Sequence, residues 1–469
     1  MGTSSGETIE RYTPDAVAAG RYAASVDALR RQYATAPATA SVRLAKPTSN
    51  LFRFRPPHTG YALDVSGFSG VLGIDPVTRT AEVGGMTTYE DLVDATLTSG
   101  LMPLVVPQLK TITVGGAIAG LGIESTSFRN GLPHESVLEM DVLTGDGRVV
   151  TASPDNEHSE LFYGFANSYG TLGYALRVRI ELEPVRPAVA LRHIRPVDAA
   201  SCARTLAEVC AEQRYDGLPV HFVDGTVFSR GEQYLTLGSF TDTAAGRSDY
   251  TGMRVYYRSL RERATDTLTV RDYLWRWDTD WFWCSKALGA QNPLVRALWP
   301  RRYLRSDVYR SIVAFDRRYR LSDRMRALRG AAQRELVIQD VEVPLDKLEE
   351  FLEFFHREIG ISPVWICPLR LRKPVRWPLY PMDPETLYVN VGFWSSVPQR
   401  DGHRHGAANR AIERAVVQLG GHKSLYSTSF FDEEEFWRLY NGEQYARLKR
   451  TYDPDGRLPD LYEKCVYGR

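Results

Sequence analysis

The sequence predicts an α+β fold with two large units and a short C-terminal segment, and two observations lead to this prediction. Short apolar runs alternate with turns and helical patterns over the first 190 residues. From residue 336 the order becomes strand, helix, strand, strand, helix. Pro184 and Pro187 mark a boundary before the second pattern, because prolines interrupt regular structure. We therefore predict units over residues 1–190 and 191–420, with helices over 421–469 completing the fold.

Turn and capping residues place the elements of the first unit. Asp75 and Pro76 form a turn between two strands of a hairpin. Thr87 and Glu90 have the spacing of a capping box, which predicts a helix start, and Gly100 suits the C-cap of that helix. The predicted helices span 15–34 and 89–99, and the predicted strands span 70–74, 80–83, 101–106, 137–143, 149–152 and 173–182.

The second unit is predicted to contain one antiparallel sheet that helices cover on one side. Its strands are stretches of eight or nine residues rich in apolar and β-branched side chains, and its helices show apolar residues at helical spacing. The predicted strands span 220–228, 233–240, 336–343, 364–371 and 386–393, and the predicted helices span 199–214, 345–357 and 407–419. A further helix is predicted over 433–450 in the C-terminal segment.

Composition and charge exclude several classes of protein. The 469 residues include 58 basic and 57 acidic ones, so the net charge of +1 argues against a protein that coats nucleic acid. The five cysteines are odd in number and show no C-x-x-C spacing, which favours reduced thiols. The nine histidines do not cluster with them, so no metal site is predicted. No signal peptide and no run of 18 apolar residues is present, and we expect a cytoplasmic protein.

A glycine segment over residues 111–131 is the strongest candidate for a binding site. Four of its glycines lie within eight residues, in the order G-G-x-x-x-G-x-G. This order differs from both the Rossmann fingerprint and the P-loop. One interpretation is a tight turn followed by a packing helix; the other is a loop whose backbone N–H groups face an anion. Polar loops over 46–50 and 168–173 support the second interpretation, because a dinucleotide can lie between such loops.

Several blocks of this sequence closely resemble the FAD-binding domain of the vanillyl-alcohol-oxidase/p-cresol-methylhydroxylase (PCMH) family. The blocks in the first unit are Thr113–Gly116, Gly122–Ser125 and Gly170–Gly173. The match is closer to one branch, the Δ24-sterol reductases, and it continues to the C-terminus from about residue 60. Blocks in the second half specify the branch: Asn292-Pro293, Val337–Asp340, Pro363–Pro368, Leu387–Gly392 and Glu435–Trp437.

The resemblance implies a PCMH-type FAD-binding domain made of two α/β subdomains, followed by a substrate or cap domain. It also implies FAD as cofactor and NADPH as co-substrate. Many members attach FAD through a histidine of the first loop, and residues 47–57 contain none, so we expect non-covalent FAD. The FAD-binding residues implied are Thr48, Ser49, Asn50, Thr113, Val114, Gly115, Gly116, Gly120, Gly122, Ile123, Glu124, Ser125, Gly170, Thr171 and Gly173.

The chemistry of an isolated alkene defines what else the site needs. Because no group withdraws electrons from such a bond, we expect protonation first and hydride transfer from reduced flavin N5 second. This route needs a positioned acid, a dry apolar pocket and aromatic faces that tolerate a cation. Glu124, Asp280 and Asp340 are the candidate acids, and a structural ion pair is the alternative role for each.

An aromatic segment and an Arg-dense segment follow one another in the second unit. Five of the nine tryptophans lie between 275 and 299 and form either a packing cluster, a pocket wall or a patch at a membrane interface. Residues 294–330 contain eleven Arg and three Asp. They form either a solvated helix face or a surface for anionic lipid headgroups, and no motif supports nucleic acid as partner.

The ratio of 50 Arg to eight Lys favours a GC-rich bacterial gene. Bacterial members of the resembled branch are associated with methyl-branched fatty acids. We therefore predict a reductase that converts the 10-methylene fatty acyl chain of a phospholipid to the 10-methyl chain. A fatty-acid methyltransferase is the candidate partner, with peripheral contact at the inner face of the membrane. The alternatives are a Δ24-sterol-type alkene reductase, a flavin oxidase or dehydrogenase acting on an alcohol, and a non-enzymatic lipid- or flavin-binding partner of a methyltransferase.

Overall fold

The computed structural model describes residues 16–46, 52–53, 60–243, 246–319, 333–399 and 406–468. Its helices are α1 (Ala16–Thr35), α2 (Tyr89–Leu97), α3 (Val114–Ala119), α4 (Ser127–Asn130), α5 (Ser159–Gly164), α6 (Ala199–Glu212), α7 (Tyr256–Ser259), α8 (Val270–Leu274), α9 (Pro293–Leu298), α10 (Ser306–Tyr319), α11 (Leu348–Glu358), α12 (Ala407–Gln418), α13 (Glu433–Leu439) and α14 (Gly442–Tyr452). Its strands are β1 (Val42–Leu44), β2 (Tyr61–Leu63), β3 (Val71–Asp75), β4 (Thr80–Gly84), β5 (Leu101–Pro103), β6 (Val137–Leu143), β7 (Val149–Ala152), β8 (Tyr174–Pro184), β9 (Ala188–Ile194), β10 (Arg214–Tyr215), β11 (Leu218–Pro219), β12 (Phe222–Ser229), β13 (Glu232–Thr241), β14 (Thr265–Thr269), β15 (Arg334–Pro344), β16 (Val364–Leu369), β17 (Tyr388–Pro398) and β18 (His422–Lys423).

The first part of the chain contains a small and a large α/β arrangement. In the small one, α1 packs over the parallel pair β1–β2, where Leu29 and Leu63 are fully buried. In the large one, antiparallel strands run in the order β3-β4-β8-β6-β7, and β5 pairs with the end of β8. Helices α2 and α3 pack against this sheet through Leu92 and Val114. Burial of these apolar faces joins the helices to the sheet and fixes the position of the glycine segment.

The start of α2 differs from the sequence prediction. Thr88, not Thr87, caps this helix, and its hydroxyl oxygen accepts a hydrogen bond from the Asp91 backbone N–H at 3.2 Å. The Thr87 side chain is buried and bonds to the backbone of Gly70, accepting from its N–H at 2.8 Å. The predicted capping box was therefore wrong, because a contact across the hairpin uses the hydroxyl that the local pattern assigned to the helix.

The second part of the chain forms one large sheet, in the order β14-β9-β13-β12-β16-β17-β15-β18, in which all neighbours are antiparallel. Alternate residues of each strand point to opposite faces. Val341 and Val391 pack against α6, α11 and α12 on one face. Asp340 and Trp365 lie on the opposite face, towards the first part of the chain. The predicted α+β fold, with an antiparallel sheet covered by helices, is confirmed.

The C-terminal segment contacts both sheets. Strand β18 extends the large sheet at its edge, and α14 packs on α5 of the first part. Two lysines of the segment hold a loop of the first part. The Lys449 ammonium donates to the Thr171 carbonyl at 2.8 Å, and the Lys464 ammonium donates to the Tyr169 carbonyl at 2.6 Å. The segment therefore helps to position the loop over 168–173.

Candidate active site

A cavity of about 1020 Å³ lies between the glycine segment, the large sheet and the C-terminal segment. This volume is at the upper end of the range of about 300–1,000 Å³ that is typical of ligand sites. We distinguish two groups of lining residues. The glycine wall comprises Lys46, Thr113, Gly115, Gly116, Gly120, Gly170, Lys449 and Lys464. The aromatic wall comprises Phe52, Trp281, Phe282, Trp365, Trp394 and Tyr426, with Asp340 among them.

Close backbone packing in the glycine wall leaves no room for side chains. A Cβ on Gly115 would lie 2.8 Å from the Gly85 carbonyl oxygen, and one on Gly116 would lie 2.8 Å from Oγ1 of Thr113. A Cβ on Gly120 would lie 3.1 Å from the Tyr169 ring. Gly116 is the exposed residue of α3, so its backbone is open to the cavity. The glycines thus present bare backbone to a bound group.

Cationic side chains accompany this backbone. The Lys46 ammonium donates to Oγ1 of Thr113 at 2.9 Å, and burial lowers the pKa of Lys46 to about 8. Lys449, Lys464 and Arg43 also line the cavity. Bare backbone beside several cations suits the pyrophosphate of a dinucleotide, since phosphate oxygens take charge-assisted hydrogen bonds from such donors. The residues present therefore fit FAD.

The residues that the resemblance assigned to FAD fall into three groups. Those that line the cavity are Thr113, Gly115, Gly116, Gly120, Gly122, Ile123 and Gly170. Those buried behind it are Val114, Glu124, Ser125, Thr171 and Gly173. Thr48, Ser49 and Asn50 lie outside the described residues. In the second group, Gly173 has a φ of 146° and its Cβ would clash with Val142, so it shapes the loop rather than contacting a ligand.

Asp340, Gly392 and Trp365 form one row across three neighbouring strands of the large sheet. Asp340 of β15 is paired with Gly392 of β17, which is paired with Trp365 of β16. A Cβ on Gly392 would lie 2.3 Å from Oδ1 of Asp340. Trp394, two residues further along β17, stacks on Phe282 with ring centroids 4.2 Å apart. Asp340 therefore reaches the cavity within an aromatic wall.

The surroundings of Asp340 favour its neutral form. Burial raises the pKa of Asp340 to about 7, although hydrogen bonding from Asn390 and Tyr426 works in the opposite direction. The Asn390 side-chain amide lies 3.3 Å from Oδ1. Glu342 lies on the same face of β15. Its pKa is raised well above the ordinary value, mainly by burial and also by the nearby Asp340 charge. Asp340 keeps partial accessibility because its side chain opens on the cavity.

Glu124 does not line the cavity. Its carboxylate is buried against the Arg276 guanidinium at 3.1 Å, and Gln108 and Ser125 also donate to it. Arg276 reaches Asp224 at 2.8 Å on its other side. Burial raises the pKa of Glu124, and the Arg276 charge opposes that rise. This arrangement favours the structural alternative that the sequence left open for Glu124.

Asp280 also belongs to a buried ion pair. Its two oxygens accept from the Arg296 guanidinium at 2.7 and 3.1 Å. The next two residues, Trp281 and Phe282, adopt positive φ angles of 46° and 58° and line the cavity. Such backbone is strained for residues other than glycine and persists only where its surroundings hold it. The geometry favours a role for Asp280 in holding this turn and leaves Asp340 as the candidate acid that opens on the cavity.

The aromatic segment is a packing cluster and a pocket wall. Trp275, Trp277, Trp281 and Trp283 are all buried, and Trp281 alone of these four lines the cavity. The interpretation of these tryptophans as an exposed patch at a membrane interface was wrong, because the surrounding sheet and helices cover them. Within the described ranges, no helix is both long and apolar enough to cross a bilayer. The same residues include no group of three His, Cys, Asp or Glu suited to a metal ion.

Several residues of the site were not predicted from the sequence. Gly392 and Tyr426 stand beside Asp340, and Lys449 and Lys464 belong to the glycine wall. The two lysines carried a signal: a chain with 50 Arg has only eight Lys, and three of the eight line one cavity. Nothing in the sequence pointed to Gly392 or Tyr426. Gly392 acquires its role by strand pairing, and Tyr426 acquires its role because the C-terminal segment folds back to the site.

Comparison with known proteins agrees with this geometry. A family model described as an FAD binding domain matches residues 19–153. The Δ24-sterol reductase of Arabidopsis thaliana is 27% identical over 448 residues, which cover 87% of this chain and 77% of the relative. The Δ24-sterol reductase of Homo sapiens is 28% identical over 414 residues, covering 84% and 75%. Cytokinin dehydrogenase 6 of Oryza sativa subsp. japonica is 34% identical over 146 residues, covering 31% and 27%.

The two sterol reductases match along both sheets, whereas the dehydrogenase matches less than a third of the chain. Residues 19–153 therefore match an FAD binding domain, and the chain is similar to the Δ24-sterol reductases over most of its length.

Proposed function

We propose that this protein is an FAD-dependent reductase of a lipid C=C bond in which Asp340 donates the proton. The observation that carries the proposal is a carboxyl group on the aromatic wall of a cavity whose other wall fits FAD. The similarity to proteins named Δ24-sterol reductases supports a C=C bond as the reacting group. The similarity to a cytokinin dehydrogenase gives less support to the oxidase or dehydrogenase alternative, because it covers only 31% of the chain.

The glycine wall would hold FAD through the exposed backbone of Gly116 and the cations of Lys46 and Lys464. The N–H groups of Gly115 and Gly120 bond to the Gly85 and Gly116 carbonyls, so these two glycines would contribute close approach rather than hydrogen bonds. Bound FAD in its reduced form would supply the hydride.

Asp340 would supply the proton. Because burial raises its pKa to about 7, a large part of Asp340 is protonated at neutral pH. Transfer to the less substituted alkene carbon leaves a tertiary cation on the other carbon. The faces of Trp281, Phe282 and Trp365 suit such a cation and exclude water that would trap it.

The substrate we favour is a phospholipid whose acyl chain carries a 10-methylene group. The overall reaction converts this group, NADPH and one proton into the 10-methyl chain and NADP⁺, so atoms and electrons balance. The excess of Arg over Lys supports a GC-rich bacterial source, in which this substrate is more plausible than a sterol. A fatty-acid methyltransferase that forms the methylene group would be the partner.

Anaerobic mixing tests the direction of electron flow. The FAD-loaded protein is mixed anaerobically with NADPH in one experiment and with a set of primary and secondary alcohols in another. The flavin absorbance is followed in both. We expect NADPH to bleach the flavin and the alcohols to leave it oxidised. Bleaching by an alcohol without any by NADPH would establish the oxidase or dehydrogenase alternative.

A product assay separates the substrate classes. FAD-loaded protein and NADPH are incubated anaerobically with a 10-methylene phospholipid or with a Δ24-sterol, and each lipid is analysed by mass spectrometry. We expect the phospholipid to gain two mass units and the sterol to remain unchanged. A gain in the sterol alone would establish the sterol-type alternative. No gain in either lipid, with FAD bound and NADPH present, would favour the non-enzymatic role.

A further inference from the structure

Exposed apolar side chains are concentrated in one stretch of the second part of the chain. Seven of the fourteen large hydrophobic residues that are well exposed among the described residues lie between 294 and 319. Leu294 and Leu298 of α9 are 79% and 86% exposed, and Phe315 of α10 is 58% exposed. Scattered exposed apolar residues need no explanation, but a cluster of this size indicates an interaction surface.

Helix α10 has two apolar faces. Tyr309 and Val313, four residues apart, pack inward against the cluster that contains Trp281. Ile312, Phe315 and Tyr319 follow at intervals of three and four, so they share an outer face that is exposed to solvent. A helix that only covers a core needs one apolar face. The outer face is therefore available to a partner.

The exposed apolar residues lie beside unpaired cations. Arg301 and Arg302 connect α9 to α10, and both are exposed. Among the residues that the structure describes, neither forms an ion pair. Arg302 lies over the Tyr303 ring at 4.8 Å, and Arg318 lies over the Tyr319 ring at 5.8 Å. This mixture of aromatic, aliphatic and Arg side chains is typical of segments that lie in a membrane interface.

The eleven Arg of the predicted basic stretch do not all contribute to this surface. Arg296 is buried with Asp280, and Arg305 pairs with Glu90 at 2.8 Å. Residues 320–330, with four of the eleven, lie outside the described residues. The surface thus depends on a few exposed Arg next to apolar side chains rather than on the total charge of the stretch.

The same helices are attached to the wall of the cavity. Arg296 of α9 holds Asp280 at 2.7 Å, and Asp280 precedes Trp281 of the aromatic wall. Trp299 and Tyr309 pack together at 5.9 Å between α9, α10 and this wall. A partner bound to the outer face would therefore lie one layer of side chains from the aromatic wall.

We propose that Leu294, Leu298, Arg301, Arg302, Phe315 and Tyr319 form a docking surface for an anionic lipid bilayer. The apolar side chains enter the interface while the Arg side chains bind lipid phosphates. An anionic bilayer accounts for both kinds of exposed side chain, because its apolar interior can take up the apolar residues and its phosphates can bind the Arg residues. Docking does not depend on the proposed reaction, and it would bring the aromatic wall close to the acyl chains.

Co-sedimentation with vesicles tests the docking surface without any turnover. The full chain, loaded with FAD, is mixed with phosphatidylcholine vesicles that contain or lack phosphatidylglycerol. We expect binding to the anionic vesicles, weak binding to the neutral ones, and weakening by high salt. Each basic residue near an anionic bilayer strengthens binding by about fivefold, so Arg301→Glu with Arg302→Glu should weaken it by more than about 25-fold. Leu298→Asp with Phe315→Asp should abolish binding to both kinds of vesicle.

Matched variants on other elements of the chain serve as controls. Arg30→Glu with Arg31→Glu reverses the charge of two exposed arginines on α1. Val77→Asp with Val197→Asp replaces two apolar residues that are 75% and 80% exposed. Both controls should bind anionic vesicles like the unmodified chain. Equal loss in controls and test variants, or no vesicle binding by the unmodified chain, would overturn the proposal.

Sedimentation velocity without lipid separates a bilayer from a second copy of this chain as partner. Dimerisation that Leu298→Asp with Phe315→Asp abolishes, with no vesicle binding, would assign the surface to a protein interface instead. Thermal unfolding of each variant establishes that loss of binding is not loss of the fold. Failure of the reductase assays would leave vesicle binding unaffected, so the two proposals fail independently.

Discussion

Oδ1 of Asp340 lies 2.3 Å from the position that a Cβ of Gly392 would occupy. The two residues are directly paired on neighbouring strands, so the glycine leaves the space that the carboxyl group fills. Trp394 and Trp365 limit the same space at 2.8 and 3.4 Å from that Cβ position. A side chain on residue 392 would therefore move the carboxyl group, the indoles or the strand.

Substitution of Gly392 by Ala should lower stability and displace Asp340. Overpacking of this kind costs about 1–3 kcal/mol, because neighbouring side chains leave their preferred rotamers. We expect a lower free energy of unfolding in urea and a loss of reductase activity larger than the loss of bound FAD. Gly20→Ala in α1 is the control, since no atom lies within 4 Å of its Cβ position and Ala favours a helix. Equal stability of the two variants would contradict the packing argument.

Substitution of Asp340 by Asn should remove the proton donor and keep FAD bound. Loss of a general acid lowers kcat by about 10²–10⁴-fold. In the unmodified protein, kcat should fall above pH 7, because the pKa of Asp340 is raised to about 7 and its protonated form is the active one. The residual activity of the variant should lack this decline. An unchanged pH profile in Asp340→Asn would exclude Asp340 as the acid.

The same carboxyl group should make stability depend on pH. Its pKa in the native state lies above the value of 3.8 that it has when unfolded, so the native state retains a proton that the unfolded chain releases. Its contribution to the free energy of unfolding is therefore complete below about pH 4 and is lost as the pH rises through 7. Urea unfolding from pH 4 to pH 8 should show a smaller decline with pH for Asp340→Asn than for the unmodified protein. A steeper decline in the variant would contradict the raised pKa.

Lys464 and Lys449 should contribute to FAD affinity by holding the loop over 168–173. Each donates to a loop carbonyl, and such charge-assisted bonds are worth about 1.5–3 kcal/mol. Lys464→Met should therefore raise the Kd for FAD by about tenfold or more in fluorescence titrations. Lys347→Met is the control, since that lysine is half-exposed and is not among the residues that line the cavity. Denaturation provides a separate check on how FAD is attached. Because we expect non-covalent FAD, all flavin should leave the unmodified protein when it unfolds.

Many strands and helices of both parts could be predicted from the sequence because they depend on local periodicity, whereas β9, β14 and α10 were not predicted. Val341 and Val343 alternate with Asp340 and Glu342 along β15, which marks one face without any knowledge of the partner strands. The glycine segment could be predicted as a binding element for a similar reason, since four glycines within eight residues have few other uses. Local pattern was sufficient wherever the cause of the structure was local.

The candidate acids could not be ranked from the sequence, because their roles depend on distant residues. Glu124 meets Arg276, which is 152 positions away, and Asp280 meets Arg296 across a turn. Asp340 acquires its setting from Gly392 and Tyr426, on elements that enter the site only after folding. In the sequence, each of the three candidates is a carboxylate whose folded surroundings are not visible. The surrounding charge and burial decide which one opens on the cavity without a cationic partner among the described residues.

Arg276 should be the residue whose loss destabilises the protein most. Its guanidinium is fully buried between Glu124 and Asp224, and Asp224 also accepts from the indoles of Trp277 and Trp365. Removing one partner of a buried ion pair costs about 3–5 kcal/mol, because the remaining charge has no water around it. Arg276→Met should lower the free energy of unfolding by about that amount and shift the tryptophan fluorescence.

Neutralising the two carboxylates tests whether charge rather than volume is the cause. Arg276→Met combined with Glu124→Gln and Asp224→Asn should recover part of the loss, since no unpaired charge then remains buried. Arg186→Met is the control for an exposed pair with Asp242 and should cost less than about 1 kcal/mol. If the triple variant were no more stable than Arg276→Met alone, packing around the guanidinium would be the dominant contribution. Recovery would instead establish that the unpaired carboxylates left by Arg276→Met, rather than lost packing, cause most of the destabilisation.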